Sequence, residues 1–229
     1  MNTRLNEEKI KLFKDPFYTE YFELLINRIT HSSMSLEKDL GDPDNNINAI
    51  RLRDNMRAFK KLLNMLPAKI TEETIIEIAN TINASSVFIS NGYRKLGNYI
   101  TDTNIPISSP DNISNDIKNL LQKYETSWKD LDCFEREAKF HIEFIRIHPF
   151  EDGNGRTSRL LLNYNLLKQQ TAPVIITEDL VEYYQSYIKN NDIDGMKKLF
   201  QIQSQKELSI INKLYEEYKN ITSPNPKKR

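Results

Sequence analysis

Residues 148–159 read HPFEDGNGRTSR and join two helical patterns of the sequence. His148 is predicted to end the first helix, because Pro149 disfavours helical geometry in the residue before it. The glycines of this stretch allow the chain to turn sharply, and the second helix is predicted to begin at Arg156. The stretch therefore predicts a helix–loop–helix unit with a polar loop.

Helical spacing of apolar residues dominates the chain on both sides of this loop. We predict eight helices on this basis, at 17–29, 47–66, 71–83, 113–128, 134–147, 156–170, 178–189 and 194–219. Residues 92–110 break the pattern with two glycines, two prolines and the extended run 99–101, so they hold the one expected hairpin. The predicted fold is all-α, a helical bundle with one small β-hairpin.

The composition excludes several classes of protein. The chain has 229 residues with 32 basic and 32 acidic side chains, so its formal net charge of +0 gives no general attraction to nucleic acid or anionic membranes. Its apolar runs are too short to span a bilayer, and its N-terminus lacks the apolar core of a secretion signal. The single cysteine, Cys133, allows no intrachain disulfide. We therefore expect a cytoplasmic protein that binds neither nucleic acid nor membranes.

His148 has the chemistry and the position of a general base. It lies where a helix ends, and the partly negative carbonyl end of that helix favours a protonated imidazole. A proton accepted during a reaction would be stabilised there, which suits catalysis near neutral pH.

The residues that follow His148 are suited to a nucleotide polyphosphate. Asp152 offers a hard oxygen ligand for Mg²⁺, and the backbone N–H groups of the glycine turn form a concave anion site at a helix N-terminus. Arg156 and Arg159 are three residues apart and so share a face of the helix. Arginine forks fit phosphate oxygens, and two of them suit a polyphosphate.

Each of these residues has a common structural alternative when it is taken alone. A histidine is often a satisfied side chain, an Asp-Gly-Asn-Gly run is often a turn, and helical arginines often face solvent. Their combination within one predicted helix–loop–helix unit is what favours an active site.

The stretch resembles the signature of the Fic family, His-Pro-Phe-x-Asp-Gly-Asn-Gly-Arg-x-x-Arg, at every fixed position. The similarity extends more loosely from residues 91–94, which read NGYR, to about Phe200. The resemblance implies the family's helical fold and an adenylyltransferase that moves AMP from ATP onto protein hydroxyls. A related toxin branch phosphorylates instead and tends to carry Ala-Asn-Lys where this chain has Gly153-Asn154-Gly155-Arg156. The glycine and arginine here favour AMP transfer.

The resemblance also implies a role for each residue of the signature. His148 would deprotonate the target hydroxyl, and Asp152 would hold Mg²⁺ between the α- and β-phosphates. The glycine turn would act through its backbone and through the Asn154 side chain. The residues expected to bind the nucleotide phosphates are Gly153, Asn154, Gly155, Arg156 and, at the γ-phosphate, Arg159.

The predicted hairpin from Tyr99 to Ile107 resembles the family's flap, which aligns an extended target segment by strand addition. A solvent-exposed connector is the alternative. The flap residues expected to bind a target are Tyr99, Ile100, Thr101 and Ile105.

Two tyrosines after the signature helix, Tyr183 and Tyr184, fall where the family often places aromatic residues near the adenine. Tyr184 is assigned to the nucleotide, while core packing is expected for at least one of the pair because paired helical tyrosines mostly pack.

An inhibitory segment is a further expectation from the family. Residues 33–37 read SMSLE and match the first part of its Ser/Thr-x-x-x-Glu-Gly/Asn segment, whose glutamate pairs with the second arginine of the signature. Lys38 departs from that pattern. We hypothesise that Ser33 and Glu37 belong to an inhibitory helix and that Glu37 restrains activity through Arg159. A solvated glutamate on a polar helix is the alternative.

These expectations divide the chain into three regions. They are an N-terminal helical region at 1–70 with the inhibitory helix, a catalytic core with C-terminal helices at 71–221, and a frayed tail at 222–229. The expected cofactor is Mg²⁺, and the expected partners are ATP and a protein target with an exposed hydroxyl in an extended segment; a homo-oligomer is left open.

Two alternatives to AMP transfer remain. One is an enzyme that uses the same site as a phosphotransferase or to remove AMP. The other is a regulatory module that binds ATP without transferring any part of it.

Overall fold

Helices make up most of the regular structure among the residues that the structure describes. The computed structural model describes residues 3–5, 19–36, 46–86, 91–100 and 105–222. Within these ranges the α-helices, in chain order, are α1 (Thr19–Ser35), α2 (Asn46–Asn64), α3 (Glu72–Ile82), α4 (Ile113–Glu125), α5 (Cys133–Ile147), α6 (Asn154–Lys168), α7 (Val181–Asn190) and α8 (Ile193–Thr222). None of these helices combines the length and the apolar content needed to cross a membrane. The predicted all-α fold is confirmed.

Side-chain caps explain where α3 and α5 begin. The Thr71 hydroxyl accepts a hydrogen bond from the N–H of Thr74 at 3.2 Å, and the Asp132 carboxylate accepts from the N–H groups of Phe134 and Glu135. Such caps satisfy N–H groups that have no partner inside the helix. Both helices therefore begin within one residue of their predicted starts.

Helix α6 is the centre of the bundle. It packs against α1, α2, α3 and α5, and its side chains at Asn154 and at 156–167 are buried. One cluster of core residues lies mainly among α1 to α6, and a second lies among α5 to α8. Because α6 is enclosed along its length, it carries the polar residues of its first turns into the interior of the protein.

The predicted hairpin is not seen as a pair of strands in the parts of that segment that the structure describes. Residues 95–100 and 105–109, which we call the flap limbs, contain no strand, and 101–104 lie outside the described residues. Hydrogen bonds from side chains to backbone carbonyls, chiefly from Arg94 and Asn98, hold the limbs in place of the hydrogen bonds between strands that a hairpin would have. These carbonyls are therefore satisfied without strand pairing.

Candidate active site

His148 closes α5 in a left-handed backbone conformation. Its φ of 51° and ψ of 59° turn the chain out of the helix, a conformation that residues other than glycine seldom adopt. The His148 N–H donates to the carbonyl of Phe144 at 3.1 Å, and the His148 carbonyl accepts from Nε of Arg94 at 2.7 Å. The half-buried His148 therefore stands at the start of the signature loop, and the predicted helix end is confirmed.

The loop is closed by Phe150 and Asn154. The Asn154 amide accepts from the N–H of Phe150 at 2.9 Å and donates to the Phe150 carbonyl at 2.8 Å. The Phe150 ring is buried and lies 5.7 Å from the ring of Tyr93 and 6.5 Å from that of Phe144, between centroids. Both ends of the Asn154 amide thus stabilise the loop itself, and its expected contact with phosphate stays a prediction.

Asp152 and Arg156 form an ion pair at the edge of the site. Nη2 of Arg156 lies 2.8 Å from Oδ2 of Asp152; the arginine side chain is 1% exposed and the carboxylate 49% exposed. The other carboxylate oxygen accepts from the N–H of Gly153 at 2.6 Å. The structure thus combines a solvent-accessible carboxylate with a fixed, buried positive charge on the first turn of α6.

Asn83, at the end of α3, holds this pair from the other side. Its Nδ2 donates to the carbonyl of Asp152 at 3.0 Å, and its Oδ1 accepts from Nη2 of Arg156 at 3.4 Å. Asn83 also explains why a glycine follows Asp152. Gly153 has a φ of 78°, and a Cβ there would lie 3.1 Å from both atoms of the Asn83 amide. Because this left-handed glycine completes the turn, α6 begins at Asn154, two residues before its predicted start.

Arg159 reaches from α6 to α1. Its Nε donates to the hydroxyl of Ser33 at 2.7 Å, and its Nη2 donates to the Ser33 carbonyl at 2.8 Å. Both residues are buried. The structure thus brings together the second signature arginine and the first residue of the expected inhibitory segment, while Glu37 lies outside the described residues.

The tyrosine expected at the nucleotide is part of the core. Tyr184 is 4% exposed, and its hydroxyl lies 2.7 Å from Nε2 of His141. Burial lowers the pKa of His141 to about 3, and the positive charge of Arg159 acts in the same direction, so His141 is neutral at physiological pH. Tyr184 thus packs in the core, as was expected for at least one tyrosine of the pair, and its assignment to the nucleotide stays a prediction. Its neighbour Tyr183 is 59% exposed.

The flap residues that the structure describes differ in exposure. Tyr99 is 72% exposed, whereas Ile100 and Ile105 are half-buried and pack against the second core cluster. Thr101 lies outside the described residues. Only Tyr99 therefore presents most of its surface to solvent among the three expected flap residues that are described.

Two residues that hold the site were not found by sequence reasoning. Asn83 appeared only as the last residue of a predicted helix, where asparagine is common. Arg94 appeared only within the 91–94 segment of the family resemblance. The bonds of both residues run to the signature loop, and no local pattern indicates them.

A sequence model of the Fic/DOC family matches residues 69–166, from just before α3 into α6. The protein adenylyltransferase fic-1 of Caenorhabditis elegans is 39% identical over 80 residues, which are 34% of this chain and 16% of that protein. The protein adenylyltransferase Fic of Aedes aegypti is 46% identical over 79 residues, which are 32% of this chain and 16% of that protein. The chain thus matches only a small part of the length of these relatives.

Solved structures resemble this chain over more of its length. A Fic domain containing signaling protein from Bacteroides thetaiotaomicron has a TM-score of 0.72 at 21% identity, and the match covers 90% of each chain. IbpAFic2 covalently tethered to Cdc42 has a TM-score of 0.57 at 19% identity, over 80% of this chain and 61% of that one. At such identities the likeness shows a shared fold. Residues 69–166 of this chain therefore match the Fic/DOC family in sequence, and the chain shares the fold of solved Fic-domain structures.

Proposed function

We propose that this chain transfers AMP from ATP to a Ser, Thr or Tyr hydroxyl of a target protein or of itself and releases pyrophosphate. The observation that carries the proposal is the placement of His148 at one end of a short loop whose other end supplies Asp152 and the buried Arg156. The two relatives named above as protein adenylyltransferases support the same chemistry.

The nucleotide phosphates are proposed to bind at the N-terminus of α6. The first N–H groups of a helix have no partner within it, and its dipole favours anions at that end. Arg156 adds a positive charge that Asp152 and Asn83 hold in place. A guanidinium positioned in advance in this way loses little side-chain freedom when phosphate binds.

Asp152 fits the proposed Mg²⁺. In nucleotide sites Mg²⁺ usually takes one or two carboxylates and completes its coordination with phosphate oxygens and water. The Asp152 carboxylate is 49% exposed, and the described residues contain no group of three or more His, Cys, Asp or Glu that would form an all-protein cage. When bound, Mg²⁺ would neutralise charge on the phosphates.

His148 is proposed to act as the general base. Its imidazole accepts the proton of the target hydroxyl as the oxygen attacks the α-phosphorus. The new bond joins that oxygen to the α-phosphorus, and the bond between the α-phosphorus and the oxygen that bridges to the β-phosphate breaks. The negative end of α5 stabilises the imidazolium that results.

The contact between Ser33 and Arg159 supports the proposal of a built-in brake. If Arg159 holds the γ-phosphate, the phosphate competes with Ser33, which already accepts from Nε and Nη2 of this guanidinium. Glu37 is proposed to complete the brake by pairing with the same guanidinium.

A protein is the proposed target. IbpAFic2, which is similar in fold, is covalently tethered to Cdc42 in its structure. In this chain the exposed Tyr99, on the first flap limb, is proposed to contact an extended segment of the target.

An experiment with an alkyne-tagged ATP analogue and Mg²⁺ tests the function. The purified chain, its Glu37→Gly variant and a Glu37→Gly/His148→Ala double variant are each incubated with cell lysate and then analysed by mass spectrometry. An AMP adduct that requires His148 and increases in Glu37→Gly is the expected result. A phosphate adduct would indicate the phosphotransferase instead.

Two further outcomes distinguish the remaining alternatives. Loss of AMP from a protein modified beforehand would indicate an enzyme that removes AMP. ATP binding without any adduct in the chain and in Glu37→Gly would indicate the regulatory module.

A further inference from the structure

The first flap limb is seated on the signature loop. The N–H of Arg94 donates to the carbonyl of Pro149 at 2.9 Å, and Nδ2 of Asn98 donates to the carbonyl of Glu151 at 3.0 Å. The segment that leads into the flap thus follows the backbone that leads out of His148.

The guanidinium of Arg94 joins this loop to both flap limbs. Its Nε donates to the carbonyl of His148 at 2.7 Å, its Nη1 donates to that of Leu96 at 2.9 Å, and its Nη2 donates to that of Ser108. Leu96 lies on the first limb and Ser108 on the second. One side chain therefore contacts the backbone of the proposed base and the two ends of the proposed target-binding segment.

Arg94 holds these three points as a buried cation. The residue is 2% exposed, and it forms no ion pair with any carboxylate among the described residues. A buried charge is costly unless its surroundings are well arranged for it. Here three backbone carbonyls accept hydrogen bonds from the planar guanidinium of Arg94. A lysine ammonium does not reproduce this geometry.

The bonds from Arg94 also explain how His148 keeps its unusual backbone. Left-handed conformations of residues other than glycine persist when the surrounding structure holds them. Arg94 holds the carbonyl of His148 through its side chain and that of Pro149 through its N–H. The ψ angles of His148 and Pro149, which orient these two carbonyls, are therefore both restrained by Arg94.

We propose that Arg94 is a positioning residue that fixes the His148 base relative to the flap, so that a target seated on the flap presents its hydroxyl at the imidazole. This inference rests on the proposed function, because it gives the flap and His148 their roles. The new element is that one side chain, Arg94, fixes the positions of both the flap and His148. The phosphate-binding residues Arg156 and Arg159 are held by other partners, Asn83, Asp152 and Ser33, and do not depend on Arg94.

The test uses Arg94→Lys in the full chain, in the Glu37→Gly background that releases the proposed brake. The matched control is Arg146→Lys, because Arg146 lies on α5 and contacts a single carbonyl, that of Ile188, at 3.4 Å. Self-modification is followed against ATP concentration. We expect the maximal rate to fall at least ~10-fold in Arg94→Lys, since small misplacement of a reacting group costs up to about 10²-fold. The ATP concentration for half-maximal rate stays within about twofold, and Arg146→Lys changes neither quantity.

Hydrogen exchange provides a readout that needs no transfer activity. In Arg94→Lys the N–H groups within 95–100, 105–109 and 148–151, other than at Pro106 and Pro149, are expected to exchange faster together, whereas those of α6 keep their protection. Uniformly faster exchange with weaker ATP binding would make Arg94 a residue of general stability and overturn the inference. If Arg94→Lys does not fold, as judged by thermal melting, the same readouts are taken on Arg94→Gln.

The outcomes separate this inference from the proposed function. If Glu37→Gly gives no adduct that depends on His148, the proposed function fails and Arg94 has no base to position. If Glu37→Gly is active and Arg94→Lys transfers AMP at the same rate with unchanged exchange at 148–151, only the role of Arg94 is overturned.

Discussion

The guanidinium of Arg159 holds Ser33 through two hydrogen bonds, from Nε to the hydroxyl at 2.7 Å and from Nη2 to the carbonyl at 2.8 Å. These bonds join α6 to a helix 126 residues earlier in the chain. The arginine proposed for the γ-phosphate is thus already engaged by the N-terminal region. Any ligand that uses the same donors must displace Ser33.

Replacing Ser33 with alanine should therefore strengthen ATP binding. A hydrogen bond to a charged group contributes about 1.5–3 kcal/mol. Ser33→Ala removes only the bond to the hydroxyl, so the Ser33 carbonyl still competes with ATP for Arg159. We expect affinity for Mg²⁺-ATP to rise about 3- to 10-fold by calorimetry, on the scale of about 1.4 kcal/mol per tenfold. Ser32→Ala is the control, since the Ser32 hydroxyl bonds to the carbonyl of Ile176 and not to Arg159. Equal affinities in wild type and Ser33→Ala would argue against a brake at this contact.

Replacing Asn83 with alanine should weaken ATP binding without abolishing the fold. The change removes the bond to the Asp152 carbonyl and the contact with Arg156. Asp152 and Arg156 are then less well positioned for the nucleotide. A loss of about tenfold in affinity is expected, equivalent to about 1.4 kcal/mol. The control is Thr81→Ala on the same helix, because that hydroxyl bonds only to the carbonyl of Glu77 in its own helix. Unchanged ATP affinity in Asn83→Ala would show that the loop keeps its shape without the contacts of the Asn83 side chain.

Replacing Gly153 with alanine should destabilise the protein. At a φ of 78° a Cβ is unfavourable, and here it would lie 3.1 Å from the Asn83 amide. The left-handed conformation alone costs about 1–2 kcal/mol, and each kcal/mol lowers the melting temperature by about 2–4 °C in a domain of this size. At Gly97 a Cβ would meet nothing within 4 Å, so Gly97→Ala should melt close to wild type. If Gly153→Ala melts at the same temperature as wild type, the close contact between residue 153 and the Asn83 amide is contradicted.

The signature loop and the helices could be predicted because their signals are local. Apolar spacing gave the eight helices, and Thr71 and Asp132 mark two helix starts through bonds to residues only two or three positions away. The turn at Gly153 and the helix end at His148 also follow from neighbouring residues.

The supports of the site could not be predicted because their partners are distant in sequence. Asn83 bonds to a carbonyl 69 residues later, and Arg94 bonds to one 54 residues later. The burial of Tyr184 depends on how α7 packs over His141, which the spacing of residues within α7 does not determine. Sequence periodicity indicates which face of a helix is apolar, but not which helix covers it.

One carboxyl group lies in the core of the protein, away from the signature loop. Glu137 of α5 is fully buried. Its Oε1 accepts from the hydroxyl of Tyr124 at 2.5 Å and from Gln169 at 3.0 Å, and its Oε2 accepts from Asn165 at 3.0 Å. Burial raises the pKa of Glu137 from 4.5 to about 7, although these three hydrogen bonds act in the opposite direction.

The raised pKa of Glu137 should make the protein less stable as the pH rises from about 4.5 to about 7. Over that range the unfolded chain has lost this proton and the folded protein still binds it, so stability falls with pH. The full effect is about 3 kcal/mol, at about 1.4 kcal/mol for each unit of pKa. In Glu137→Gln the side chain is neutral in both states, and its amide can still accept from Asn165 and donate to the Tyr124 hydroxyl. Urea unfolding of both proteins from pH 5 to 7.5 should show the stability of Glu137→Gln rising relative to wild type, and a difference that stays constant with pH would mean that Glu137 does not titrate there.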